Sequence, residues 1–149
     1  MIYIGIDPGK KGAIAVIYDE LEEPEIKAVP YSDDELIDIC EALTGLPCVR
    51  CCLESVHAMP KQGVRSTFTF GVAFGYIKGV LEANRISYQE IPPERWKKEF
   101  GLNTDKKKSI EVCKALFPEV SLLPTDRSRV DNDGMAEALL MAEYARRKL

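Results

Sequence analysis

Histidine and tryptophan are nearly missing: His57 and Trp96 are the only ones in 149 residues. One His cannot furnish the His pairs of a zinc site, and the acid-based chemistry open to this chain needs no Ser-His-Asp or Cys-His relay. Cysteine is present five times, as Cys40, Cys48, Cys51, Cys52 and Cys113. The spacing Cys48-x-x-Cys51 has no second Cys or His pair beside it, so these residues read as reduced, buried strand thiols rather than as a metal or redox motif. No apolar run reaches membrane-spanning length, and no basic segment followed by an apolar stretch and a cleavage site opens the chain. A cytoplasmic protein with no membrane partner is expected. There is no internal repeat, low-complexity tract or linker, so residues 1–149 are expected to form a single domain. Positive charge is not in excess either, with 20 Lys and Arg against 24 Asp and Glu and a net charge of -4. That argues against a bulk polyanion binder but says nothing about local clusters.

What is present starts at the first residues. Residues 2–7 and 12–18 read as two β-branched strands around a Pro8-Gly9…Gly12 turn, a hairpin in which Asp7 ends the first strand. Asp is rare in strands, so this carboxylate is either turn chemistry or a functional group. Asp19 to Pro24 reads as an acidic turn, and Glu25 to Val29 as a third strand. Ser32-Asp-Asp-Glu35 is a capping box for a helix that carries Leu36, Ile37, Ile39, Cys40 and Leu43 on one side and ends at Gly45. Cys48 to Leu53 is a short buried strand closed by Glu54, which repeats the pattern of Asp7. Two neighbouring strand ends that each carry a carboxylate repel, and so raise a pKa or recruit a divalent cation.

Residues 55–66 read as a loop and residues 67–84 as a helix. Gly71, Gly75 and Gly79 lie along one face of it, a row expected to pack against the sheet or a second subunit, with Phe68, Phe70 and Phe74 alongside. A strand over residues 86–91, a short helix over 94–100 and a helix capped at Thr104 or Asp105 come next. Arg95, Lys97, Lys98, Lys106, Lys107 and Lys108 form the one basic cluster, either a solvated face or a phosphate contact. The last helix begins near Asp131-Asn-Asp133, where the two Asp are also N-cap candidates, and carries Glu137 among Ala and Leu. An acid in such surroundings is costly unless paired or bound to metal. Asp133 and Glu137 share a helix face. Asp7, Glu54, Asp133 and Glu137 together suit a hard cation with oxygen ligands, Mg²⁺ or Mn²⁺. Two such ions, roughly 4 Å apart, serve in-line phosphodiester hydrolysis.

Ile4-Gly-Ile-Asp7-Pro-Gly, the strand ending Leu53-Glu54, Asp105-Lys106 opening a helix and Asp133-Gly-Met-Ala-Glu137-Ala-Leu-Leu resemble the RuvC-type Holliday junction resolvases, most of all the small bacteriophage-type members. The resemblance spans nearly the whole chain. It implies an α/β RNase H-like fold with a mixed five-stranded sheet flanked by helices, and a homodimer that nicks opposed strands of a four-way DNA junction. It also implies Asp7, Glu54, Asp133 and Glu137 as metal ligands, Lys106 as a basic group near the scissile phosphate, and Phe68 or Phe70 as an aromatic contact to the junction. Bacterial RuvC proteins place their last two ligands three apart, where this chain has Gly134, so Asp133 is the expected partner of Glu137, with Asp131 the alternative. A nuclease for hybrids or flaps and a non-catalytic nucleic-acid-binding module on the same fold are the other readings.

Overall fold

The computed structural model describes residues 1–19 and 23–149, so the middle of the expected acidic turn lies outside the described residues. Five strands form one sheet: β1 (Ile2–Asp7), β2 (Ala13–Tyr18), β3 (Glu25–Pro30), β4 (Val49–Glu54) and β5 (Tyr88–Ile91). Their order is β3-β2-β1-β4-β5. The first three form an antiparallel meander, while β1, β4 and β5 run parallel. The helices are α1 (Asp33–Ala42), α2 (Val64–Ala83), α3 (Pro93–Glu99), α4 (Lys106–Leu116) and α5 (Asp133–Lys148). The expected mixed five-stranded sheet with flanking helices is therefore present.

Strand alternation sorts the core into two layers. Ile2, Ile4 and Ile6 of β1 pack with Leu36, Ile39 and Cys40 of α1 and with Ile77 and Leu81 of α2. Ala13, Ala15 and Ile17 of β2 and Cys52 of β4 face the other way, onto α5. Each fully buried Ile or Leu contributes about 1.5–3 kcal/mol. On β1 the α5-facing position is Gly5, where a Cβ would overlap the backbone of Ala138 and Ala142. Helix α5 thus lies directly on the central strand, with Ala138 and Ala142 against Gly5.

Several boundaries differ from expectation. Helix α2 starts at Val64 rather than residue 67; Gly63 occupies its N-cap without a side-chain hydrogen bond. Strand β5 has only four residues. Ser32 caps α1, accepting from the Glu35 amide at 3.1 Å, and Asp105 caps α4. For α5 the cap is Asn132, accepting from the Met135 amide at 2.9 Å, so neither Asp131 nor Asp133 does that work. The glycine row of α2 does not pack on the sheet: a Cβ at Gly71, Gly75 or Gly79 would meet open space. Of α2 only Ile77 and Leu81 are buried. Among the described residues, no helix is long and apolar enough to cross a membrane.

Candidate active site

The β1–β4 register pairs Ile6 with Leu53, which sets Asp7 and Glu54 side by side one step further along. Both keep the alternation of Gly5 and Cys52, and so both turn to the α5 side of the sheet. Glu137, one turn into α5, is 8% exposed among fully buried neighbours. Burial first, and then the nearby charges of Glu54 and Glu137, push the Asp7 carboxyl up to about 8, against the lowering effect of Lys106 and Lys97. Glu54 is likewise raised, chiefly by burial, while its bond to Trp96 pulls the other way. Three acids from β1, β4 and α5 thus share one electrostatic neighbourhood at the end of the parallel half of the sheet.

Each acid beside Asp7 has a protein donor. Trp96 Nε1 donates to Glu54 Oε2 at 2.8 Å. Lys97 Nζ lies 3.4 Å from Glu137 Oε1, and the buried Ser109 hydroxyl donates to the same oxygen at 3.3 Å. Lys106 Nζ donates to Asp133 Oδ2 at 2.7 Å, and its charge also acts on Glu137 and Asp7. Asp131 pairs instead with Lys114. Asp133 is therefore the acid tied to the cluster, through Lys106 at the start of α4, while Asp131 is held by Lys114 further along the same helix. Gly134 has its own steric reason, since a side chain there would run into the Lys11 carbonyl on the β1–β2 turn.

Among the described residues, no group of three or more His, Cys, Asp or Glu stands as a ready-made metal cage. The donor set nonetheless fits a hard divalent cation. It consists of carboxylate oxygens, and Asp7 retains its proton because it is buried beside under-compensated negative charge. Asp7, Glu54 and Glu137 are the residues that would hold it, while Asp133 is paired with Lys106. The cysteines do not compete: Cys40, Cys51, Cys52 and Cys113 are buried. Burial pushes the Cys52 thiol to about 12, far from a thiolate at neutral pH. His57 is exposed on the β4–α2 loop.

Two grooves open at this end of the sheet. One, of about 670 Å³, is lined by Gly9, Lys10, Ser32, Arg65, Thr69 and Phe70 among others. The other, of about 620 Å³, is lined by Glu94, Lys97, Lys98, Asn103 and Thr104 among others. Phe70 sits against the β1–β2 turn, 3.7 Å from where a Gly9 Cβ would stand. Phe68 instead points out, 73% exposed. The groups that sequence reasoning left out of the site are Trp96 and Ser109, and it placed Lys97 only within a basic cluster. Nothing in the α3 pattern separates an acid-binding lysine from a solvated one.

No protein-family model matches the chain, and no curated protein matches it in sequence. Solved structures do. The chain is similar to Thermus thermophilus RuvC, with TM-score 0.62 and 16% identity over 99% of this chain and 96% of that one. The same protein in complex with a Holliday junction substrate matches at TM-score 0.62 and 16% identity, over 99% and 97%. The Fowlpox virus resolvase complexed with its substrate Holliday junction DNA matches at TM-score 0.50 and 18% identity, over 97% and 98%. At such identities the likeness is one of fold, and it spans nearly the full length of both chains: the chain has the RNase H-like fold of RuvC.

Proposed function

We propose that this chain is a metal-dependent, structure-selective DNA endonuclease that resolves four-way junctions by symmetric phosphodiester hydrolysis. The observation that carries the reading is the cluster of Asp7, Glu54 and Glu137, brought from three elements to one sheet end and under-neutralised there. The fold shared with two junction resolvases supports the substrate. Two Mg²⁺ per site, with Mn²⁺ able to substitute, would supply an activated water and charge neutralisation at the leaving oxygen. The chain's own part is to hold the ligands and the DNA. Asp7, Glu54 and Glu137 form the core of the set, and Asp133 completes it. Lys106, 67% exposed along its side chain, is long enough to leave Asp133 for the scissile phosphate. Lys10 and Arg65 in one groove and Lys98 in the other provide phosphate contacts on either side.

A two-fold substrate calls for a two-fold enzyme. Helix α2 offers the surface: Val64, Phe68 and Val72 form an exposed stripe one helical turn apart, 88%, 73% and 58% accessible. The open glycine row beside it allows a second helix to approach closely. A homodimer joined through α2 is part of this reading.

Cleavage of a four-way junction, a flap and an RNA–DNA hybrid of equal length in Mg²⁺, reading both strands, tests the proposal. The junction is expected to be cut symmetrically and in preference to the others. Asp7→Asn is expected to lower the rate by on the order of 10³-fold or more while junction binding stays intact. Full cleavage by that variant ends the reading, and preference for the hybrid or flap reassigns the substrate.

A further inference from the structure

Trp96 is the one tryptophan of the chain and is fully buried. A buried indole needs a single acceptor, and any backbone carbonyl would serve. Here the acceptor is a carboxylate 42 positions away, at the exit of β4, met at 2.8 Å. A charge-assisted bond of that length fixes both the oxygen and the rotamer that carries it. No donor among the described residues engages the other oxygen, Glu54 Oε1. The next residue along, Lys97, reaches Glu137 at 3.4 Å and lies over the Trp96 ring, 5.2 Å from its centroid. Two consecutive side chains of α3 therefore hold two of the three clustered acids, and the ring underlies the cation that holds the second.

We propose that Trp96 is a positioning residue: its indole N–H locks the Glu54 carboxylate so that Oε1 stays free as a ligand oxygen, and so pre-orders the acid cluster for a divalent cation. This rests on reading the cluster as the acid set of a nuclease. Partners that orient a ligand are worth about 10- to 100-fold in metal affinity.

The lone tryptophan makes the contact directly observable. In the metal-free full-length protein, titration with Mg²⁺ is expected to change the tryptophan emission with the midpoint found by calorimetry. Glu54→Gln is expected to abolish that response. Trp96→Phe keeps a ring in the core and removes the donor. It is expected to weaken Mg²⁺ binding about 10-fold or more, to lower kcat on a junction at limiting Mg²⁺, and to leave the metal-free junction Kd unchanged. If Trp96→Phe binds Mg²⁺ like the parent while Asp7→Asn does not, the positioning role is overturned and the nuclease reading stands. If the parent protein neither binds Mg²⁺ nor cuts a junction, that reading falls and takes this role with it. Should Trp96→Phe fail to fold, the parent's emission decides: calorimetric Mg²⁺ binding without any emission change overturns the proposal.

Discussion

Asp7 keeps its proton up to about pH 8 in the metal-free protein, whereas its ordinary value is 3.8. Between those two values the folded chain holds a proton that the unfolded chain has released. Stability from this group is full below pH ~4 and is lost as pH rises through ~8. The melting temperature of metal-free protein is therefore expected to fall across that window. Asp7→Asn should remove this component and raise the melting temperature at pH 8 by on the order of 5 °C. Thermal unfolding in chelator at several pH values checks this, and an unchanged slope in the Asn variant contradicts it. Asp7, Glu54 and Glu137 were legible because each acid interrupts an apolar pattern that gives no other reason for it. Trp96 and Lys97 were not, because in a short amphipathic helix one reads as a core aromatic and the other as a solvated lysine. The preference for Asp133 over Asp131 came from the resemblance and the i,i+4 spacing, whereas the ion pairs depend on which lysine of α4 faces which acid.

At the level of elements, the contact of α5 with β1 sets the site. Gly5 leaves no side chain between strand and helix, so the acid at the strand end and the acid on the helix belong to one stiff layer. Gly5→Ala places a methyl group into the Ala138 and Ala142 backbone, and is expected to cost about 1–3 kcal/mol or more. Urea unfolding measures it, and an alanine variant as stable as the parent would mean that α5 can lift from the sheet at no cost. The sheet itself was readable from apolar runs and turn residues, down to the pairing of the two acid-bearing strands. Helix α2 was misread at its start because Gly63 gives no capping signal. Its glycine row was expected to pack on the sheet or on a second subunit, and it does not lie on the sheet, because composition shows that a face is small and not what covers it.

For the whole molecule, the proposed homodimer would be joined through the exposed stripe of α2. Phe68→Glu combined with Val72→Glu is expected to convert a dimer to a folded monomer that no longer nicks both strands in concert. Sedimentation and a two-strand cleavage assay read the two effects, and a parent protein that sediments as a monomer refutes the α2 interface. The sheet also changes how far apart two groups effectively are. Trp96 and Glu54 lie 42 positions apart in the chain, yet β5 pairs Ile91 directly with Glu54, and α3 begins two residues later. Once β5 is seated, a tether of a few residues keeps the indole at high local concentration beside the carboxylate, and closing that small loop costs little entropy. A contact that looks long-range along the chain is thereby a near-local consequence of strand pairing.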